Sequence, residues 1–424
     1  MRGDRANRCL GLLVILFVLS FAASAAEGPM KVRIGTGGQF MVDGQAVFPI
    51  GFTTGPPVGA NTPEGNNAFA ELAKNGFVFY QWLSHQQPWG PGPQAQLDSL
   101  MKEANQYGIK IAPSIAALTQ ITPAEHDKIA QLDSVIERYR DNPAMFLWKG
   151  VDEPQWGKVP PENMKVFYDE VHRLDPDHLV WVTQAPRGTA AEWVPYTKVY
   201  DVGAVDIYPI AYPPGRDSGL IPNKNISVVG DYTKRIREVN GPQKGLIMTL
   251  QICWSGVAKP GRTLRFPTFP EERYMSYQAI IDGARALIYF GGNVENCLSE
   301  QDSLYGWNWG FYHRVLEPVL EEFRPDSELY PALVAPNSSL PVHLEGGEGL
   351  EFTVREVGNF VYLLAAKREG ATLQFTFSGL PQDITDGKVL FESPRRVTVK
   401  GGKFTDWFGP NEVHVYRFLR RGKH

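Results

Sequence analysis

Two adjacent carboxylates end an apolar stretch of the chain, LWKGVDEPQW, which runs from Leu147 to Trp156. Asp152 and Glu153 follow residues with the character of a buried strand, and Pro154 ends the strand because it has no backbone donor. A positioned carboxylic acid can transfer a proton to a reacting group. The pair therefore predicts acid–base chemistry, provided that the fold carries it into a cleft.

After a predicted opening hairpin from Lys31 to Ala46, short apolar strand candidates alternate with helix-length amphipathic stretches from residue 48 to about residue 323. Within the helix candidates, apolar residues recur every three or four positions, as in Ile129, Leu132, Val135 and Ile136. The strand candidates are 48–52, 77–83, 109–115, 145–150, 179–183, 202–208, 246–251 and 286–290. The helix candidates are 63–74, 95–107, 123–139, 161–174, 190–198, 225–239, 271–284 and 311–323.

Eight strand–helix units predict a (β/α)8 TIM barrel, a fold that typically takes about 250 residues. A doubly wound sheet also alternates strand and helix and is the structural alternative, although it rarely needs eight units. In a barrel the catalytic groups come from the C-terminal ends of the strands. The fourth strand would then carry Asp152 and Glu153 to the mouth.

The pattern changes beyond Pro336, where helices give way to residues that alternate with a period of two. Such stretches run from Glu351 to Val354, from Phe360 to Ala365 and from Glu412 to Leu419, and Gly358 begins a plausible hairpin turn. The predicted division is a barrel over 27–335 followed by a small antiparallel β-sandwich over 336–424.

The N-terminus has the pattern of a cleavable secretory signal over residues 1–26. Three arginines precede an apolar run from Leu10 to Ala23, and small residues follow it. An uncleaved membrane anchor is the alternative, but the run is shorter than the roughly 20 residues that span a bilayer. We therefore expect a secreted or periplasmic protein with no stable membrane insertion after cleavage.

Charge, cysteine and histidine patterns limit the possible partners. The formal net charge is −4 and no basic stripe occurs, so a nucleic-acid partner is not expected. Cys253 and Cys297 follow the leader and could form one disulfide in an oxidising compartment. The eight histidines lack metal-site spacing, and GTGGQF lacks the full dinucleotide spacing, so no metal or cofactor is expected. The oligomeric state stays open.

The chain resembles the clan A glycoside hydrolases. Its fourth strand ends in Asp-Glu-Pro where that clan usually reads Asn-Glu-Pro, and VDGQAVFPIGF and FTDWFGPNEVHVYRF are similar to the ends of such proteins. The predicted barrel with its appended sandwich adds to the likeness. The resemblance implies a carbohydrate substrate, Glu153 as the general acid/base, and Asp152 as the contact to the sugar hydroxyl beside the reacting carbon.

Cleavage of a glycoside needs a second carboxylate on the other side of the bond. The family carries a nucleophilic glutamate at the end of strand seven, where LIMTLQICW places Gln251, whose amide cannot serve. Another carboxylate could act, the barrel could bind sugar without turnover, or the register of strand seven could be misassigned. The candidates are Asp206 after strand six, Glu295 after strand eight, and Glu300 or Asp302 further along the same loop; the first two rank highest because they lie close to strand ends. Asp206 could instead only fix a loop, and Glu295 could be a surface carboxylate.

Aromatic rings can cover the apolar faces of sugar rings. Trp82 and Trp254 are favoured because they directly follow strands two and seven, although any single ring could instead serve packing. Six tryptophans fall at or beyond strand ends: Trp82, Trp89, Trp156, Trp254, Trp307 and Trp309. The remaining binding candidates are Tyr208, which would match a strand-six tyrosine of the family, together with His85, Gln251 and Asp152.

The sequence therefore predicts a secreted or periplasmic hydrolase of O-glycosidic bonds in oligo- or polysaccharides, with Glu153 as the general acid/base. The alternative is a carbohydrate-binding TIM barrel without turnover, which the glutamine at position 251 motivates.

Overall fold

The computed structural model describes residues 29–84, 88–212, 221–254 and 263–421. The predicted leader, residues 1–26, and the binding candidate His85 lie outside these ranges. Both therefore stay predictions. None of the helices in the described ranges has the length and apolar character needed to cross a membrane.

Eight parallel strands form a closed barrel, which confirms the predicted fold class. They are β1 (Ile50–Thr53), β2 (Val78–Leu83), β3 (Lys110–Ser114), β4 (Leu147–Asp152), β5 (Leu179–Gln184), β6 (Val202–Asp206), β7 (Gly245–Gln251) and β8 (Ala286–Phe290). The barrel closes between the last strand and the first, where Leu287 pairs with Ile50. A doubly wound sheet is excluded because it has two open edges.

Helices surround the barrel close to the predicted positions. Their bounds are Ala68–Ala73, Pro91–Tyr107, His126–Tyr139, Glu162–Leu174, Ala190–Trp193, Val228–Asn240, Phe269–Asp282, Glu300–Ser303, Trp309–Phe311, Glu317–Glu321 and Tyr330–Val334, with single 3-10 or π turns at Ala116–Leu118, Val194–Val199, Glu295–Cys297 and Tyr312–Leu316. The helix predicted over 311–323 is broken by the π turn at Tyr312–Leu316. The break precedes Pro318, which has no N–H for the regular helical ladder.

The barrel interior is apolar at its base and polar at its mouth. Side chains two residues apart on a strand point to the same side. The inward-facing side chains of one strand can therefore be compared at successive positions from the base to the mouth. The fully buried base includes Phe79, Leu147, Trp181 and Ile247. Two positions further along the same strands lie Gln81, Lys149, Thr183 and Thr249, all buried. The floor of the mouth is therefore made of polar groups.

Three short strands at the N-terminus, Val32–Ile34, Phe40–Val42 and Gln45–Val47, form a small antiparallel sheet. Val32 and Phe40 belong to the same apolar cluster as the base of the barrel, and the ring of Phe40 lies 6.0 Å from that of Phe146. This sheet therefore seals the end of the barrel that lies opposite the mouth.

The C-terminal segment forms two antiparallel sheets. The three-stranded sheet contains His343–Gly346, Leu373–Ser378 and Phe404–Phe408, and the five-stranded sheet contains Leu350–Val357, Phe360–Lys367, Val413–Leu419, Asp386–Leu390 and Arg396–Thr398. Val357 pairs with Phe360 across the predicted hairpin turn, and Gly358 has the positive φ that this turn needs. The sandwich architecture is therefore as expected.

The five-stranded sheet packs directly on the barrel helices. Tyr362, Leu364 and Ala366 belong to the main hydrophobic core, whereas their neighbours Val361 and Leu363 fill the sandwich core. The strand Phe360–Lys367 is consequently buried on both faces. The sandwich is part of one packed body with the barrel.

Ion pairs complete this interface. Glu351 of the sandwich accepts hydrogen bonds from Lys234, from Gln278 at 2.7 Å and from Arg368 at 2.7 Å. Asp282 at the end of helix Phe269–Asp282 lies 3.4 Å from the ammonium of Lys234. Burial raises the pKa of Asp282 to about 7, and the nearby negative charge of Glu351 adds to this increase.

We expect Asp282→Asn to remove much of the pH dependence of stability between pH 5 and pH 8. A raised carboxyl pKa gives stability that is complete below about pH 4 and lost as the pH rises through about 7. Between pH 5 and pH 8 the unfolding free energy of the wild type should therefore fall by about 2 to 3 kcal/mol. The variant should not show this decrease. Urea denaturation at pH 5 and at pH 8 measures this change in unfolding free energy, and Asp326→Asn, at an exposed position, is the control. An equal loss of stability in Asp282→Asn and in the wild type would contradict the prediction.

Candidate active site

Strand β4 contains a bulge directly before the carboxylate dyad. Lys149 pairs with Trp181 of β5 and Asp152 with Thr183, so three steps along β4 match two steps along β5. The extra residue brings Asp152 to the same face as Lys149, although residues three apart in a regular strand face opposite sides. The strand therefore ends at Asp152, two residues later than predicted, and re-aims the side chains at its end.

Glu153 follows the bulge in the left-handed backbone region, with a φ of 48°. Its backbone N–H donates to the Thr183 carbonyl over 2.8 Å, which holds this conformation in place. A non-glycine residue there costs about 1 to 3 kcal/mol, and such strain clusters at functional sites. The chain therefore fixes the half-buried Glu153 at the C-terminal end of β4, where barrel enzymes place catalytic groups.

Lys149 is a polar residue of the site that the sequence analysis missed. Its side chain is fully buried, and its ammonium donates to Asp152 Oδ1 over 2.9 Å and lies 5.0 Å from the centroid of the Trp181 ring. Asp152 is 64% exposed. A lysine inside the apolar run FLWKG was the available signal, because a buried strand seldom carries an unpaired charge.

Asp206 is the last residue of β6 and is buried, with 9% of its surface exposed. It pairs in register with Thr249 of β7 and lies two strands away from the dyad. Tyr208, two residues further, is also buried, and its ring stacks on Phe290 with 4.8 Å between centroids. Both side chains thus belong to the mouth of the barrel.

Gln251 is the last residue of β7, so the predicted register of this strand is confirmed. Its buried side-chain amide makes two hydrogen bonds with the backbone of Ile210. The Ile210 N–H donates to Oε1 over 2.9 Å, and Nε2 donates to the Ile210 carbonyl over 3.0 Å. These hydrogen bonds anchor the loop after β6, and the role of Gln251 in sugar binding stays a prediction.

We expect Gln251→Glu to destabilise the protein without creating a nucleophile. A carboxylate cannot donate to the Ile210 carbonyl, and an unsatisfied buried group costs about 1 to 3 kcal/mol. Urea denaturation of the variant measures this loss, and Gln120→Glu on an exposed loop is the matched control. Unchanged stability, or a gain in hydrolysis of a glycoside, would contradict this assignment.

The six tryptophans divide into packing and rim residues. Trp89, Trp307 and Trp309 are buried and belong to the hydrophobic core, so they are not available as platforms for a sugar. Trp82 and Trp254 are half-buried, against Trp89 and Phe266 respectively. The sequence did not separate these groups because burial depends on packing from distant loops.

Trp156 is the most exposed of the rim tryptophans, with 54% of its surface accessible. The guanidinium of Arg187 lies over its ring at 4.1 Å from the centroid. This cation–π contact joins the loops that follow β4 and β5. The ring is thereby held beside the dyad.

A cavity of about 1020 Å³ opens between the loops that follow β1, β2 and β8. Trp82 and Gln81 line it on one side, and Glu295 and Asn293 line it on the other. Glu295 is exposed, in a turn that the disulfide between Cys253 and Cys297 ties to the end of β7. The bridge that the cysteine count left open is therefore present.

A smaller cavity of about 330 Å³ lies between the loops that follow β3 and β4. Ser114, Thr119, Gln120 and Asp152 line it. Two hydroxyls near the floor, those of Thr183 and Thr249, have no hydrogen-bond partner among the described residues. The mouth therefore holds polar groups that a hydroxyl-rich ligand or water could satisfy.

Within the described ranges, no group of three or more His, Cys, Asp or Glu side chains converges to hold a metal ion. The polar groups in the described part of the mouth are instead carboxylates, hydroxyls, amides and the ammonium of Lys149. Such groups suit hydrogen bonding and proton transfer.

No family model and no curated protein sequence matches the chain. Solved structures do. A family 5 glycoside hydrolase from Bacteroides vulgatus ATCC 8482 aligns with a TM-score of 0.63 and 15% identity over 93% of each chain. A protein described as a glycoside hydrolase aligns with a TM-score of 0.59 and 14% identity, over 93% of this chain and 98% of that one. This chain has the fold of the barrel glycoside hydrolases.

An alpha-amylase from Anoxybacillus aligns as well, with a TM-score of 0.55 and 12% identity over 89% of this chain and 98% of that chain. The three alignments cover between 89% and 93% of this chain. The resemblance that the sequence implied is therefore confirmed for the fold. Activity must be argued from the site itself.

Proposed function

We propose that the protein is a glycoside hydrolase in which Glu153 is the general acid. The observation that carries the proposal is the end of β4, where a bulge and a left-handed residue place Glu153 at the C-terminal end of a barrel strand. A left-handed non-glycine residue costs stability, and such strained residues cluster at functional sites. A role in proton transfer to a departing sugar oxygen accounts for this strain.

We propose Asp206 as the second carboxylate. It lies two strands from β4, which is roughly 10 Å along the barrel wall at about 4.8 Å per strand. Its side chain is one methylene shorter than that of a glutamate and stays buried in the wall. This leaves room for a water between the two carboxyl groups, as a separation of about 6.5 to 9.5 Å requires. An inverting reaction follows, with Asp206 as the general base.

Glu295 is better placed to bind than to react. Its exposed carboxylate lines the 1020 Å³ cavity opposite Trp82, on the side of the barrel farthest from β4. We propose that this cavity takes sugar units of an oligo- or polysaccharide, with the Trp82 ring against a pyranose face. Trp156 and Trp254 would extend the aromatic rim, and Tyr208 would donate a hydrogen bond from β6.

A second candidate function is carbohydrate binding without turnover. The observation that favours it is Gln251, whose amide anchors Ile210 and leaves no carboxylate at the end of β7. Under this proposal Asp206 and Glu153 would bind sugar hydroxyls. Either function would act outside the cytoplasm if the predicted leader over residues 1–26 directs secretion to the periplasm or medium.

The wild-type protein should be assayed for reducing ends released from neutral and acidic polysaccharides and for phenol released from aryl glycosides. Parallel calorimetry with the same polysaccharides measures binding. Hydrolysis of at least one substrate supports the first proposal. Binding with no release from any substrate contradicts it and supports the second proposal.

A further inference from the structure

Lys149 is a charged side chain inside the barrel. It follows Leu147 by two residues on β4, so both side chains face the barrel interior. Its pairing partners on the neighbouring strands, Ser114 of β3 and Trp181 of β5, are neutral. Its ammonium, 2.9 Å from Asp152 Oδ1, has no other carboxylate within 4 Å in the part of the chain that the structure describes. Burial of a charge without its partner is costly. Asp152 is therefore the group that compensates Lys149.

Asp152 has the opposite character, because most of its side chain is exposed. One of its oxygens accepts the hydrogen bond from Lys149, and the second oxygen makes none with the described residues. Asp152 lines the 330 Å³ cavity, where this second oxygen can accept a hydrogen bond from a sugar hydroxyl. The bulge brings Asp152 back over Lys149, so the ion pair and the bulge stabilise each other.

We propose that Lys149 is the positioning residue of this site: it holds Asp152 from beneath and fixes the bulge that directs Glu153 into the mouth. The second oxygen of Asp152 is then kept open for the sugar hydroxyl next to the bond that breaks. This inference rests on the proposed function and deepens it, because it assigns a role to a residue that does not itself touch the substrate.

Lys149 also balances the charge around Glu153. At the mouth ends of the neighbouring strands, Asp152 on β4 and Asp206 on β6 are negative, whereas Ser114 on β3 and Thr183 on β5 are neutral. The positive charge of Arg187 lies over the Trp156 ring in the loop after β5. Loss of the ammonium removes a positive charge next to the carboxylate dyad, which favours the protonated form of the Glu153 carboxyl. Removal of Lys149 should therefore move the titration of Glu153 to higher pH.

The first test is a double-mutant cycle in urea. Asp152→Asn leaves the buried ammonium unpaired, and we expect the urea midpoint to fall by about 1 M. Lys149→Met combined with Asp152→Asn removes both charges and should recover most of that loss. An Asp152→Asn variant as stable as the wild type, or a double variant that loses the sum of both single losses, would show that the two residues do not act as a pair.

The second test follows Glu153 directly in Lys149→Met. The carboxyl carbon-13 resonance of Glu153, identified by its absence in Glu153→Gln, should titrate about one pH unit higher than in the wild type. The alkaline limb of kcat/KM should move by the same amount, and kcat should fall about 10- to 100-fold because Asp152 is no longer held. A merely structural lysine would lower stability and leave both titrations unchanged.

The outcomes separate this inference from the proposed function. If the wild type hydrolyses nothing but the Glu153 titration still moves, the proposed function fails and the positioning role stands. If hydrolysis occurs and neither titration moves, the positioning role is overturned. Should Lys149→Met not fold, Lys149→Gln, which is neutral and one atom shorter and leaves Asp152 unchanged, takes its place: a kcat at least tenfold lower supports positioning, and an unchanged kcat overturns it.

Discussion

Glu153→Gln is expected to slow the hydrolysis of an unactivated glycoside by about 10²- to 10⁴-fold, the usual contribution of a general acid. A glutamine has the same shape but cannot give a proton to the departing oxygen. The left-handed backbone at position 153 and its hydrogen bond to Thr183 involve no side-chain atoms of Glu153, so the bulge should persist. The effect should therefore appear in kcat, with sugar affinity changed only slightly.

The matched control is Glu162→Gln, an exposed glutamate in the first turn of helix Glu162–Leu174. It loses the same charge on the helix that follows the same strand, and we expect turnover to stay within about twofold. Steady-state kinetics on an oligosaccharide and calorimetry of the bound sugar measure both variants. Wild-type turnover in the Glu153→Gln variant would show that Glu153 is not the general acid.

Asp206→Asn is expected to lower kcat by about 10²- to 10⁴-fold as well, because an amide cannot activate water as a base. If Asp206 is the base, the wild type should invert the anomeric centre. Proton NMR of the first product released, read before mutarotation, measures this stereochemistry. Asp326→Asn, an exposed aspartate far along the chain, controls for the loss of one carboxylate.

Two results would contradict the role of Asp206. Near-normal turnover in Asp206→Asn would assign the second carboxylate elsewhere, with Glu295 as the next residue to replace. A retained anomeric configuration would require two carboxyl groups about 5 Å apart and a covalent intermediate. That outcome conflicts with the short side chain of Asp206 in the barrel wall.

The barrel was predictable because its elements follow local rules. Each strand is a short apolar run and each helix has one apolar face, and eight such units close into one sheet. The observed β8 has the predicted bounds, 286–290, and β7 differs from its prediction by one residue. The hairpin at Gly358 could be predicted for the same reason, because this turn residue lies between two strands in which apolar and polar residues alternate.

The geometry of the site depends on contacts between distant residues, which the sequence does not show. The bulge in β4 is defined only by its pairing with β5, and the role of Gln251 depends on the backbone of Ile210. Trp307 and Trp309 were assigned to the rim by their position after β8, but the fold buries both. Residue types indicated which chemistry was possible, and packing determined which residues face the mouth.

The most direct test of Glu153 as the acid compares two aryl glycosides in Glu153→Gln, one with a dinitrophenol leaving group and one with unsubstituted phenol. Dinitrophenolate departs without a proton, so its release should stay within about tenfold of wild type, whereas release of phenol should fall by about 10²- to 10⁴-fold. An equal loss on both substrates, or none on either, would show that Glu153 does not donate the proton.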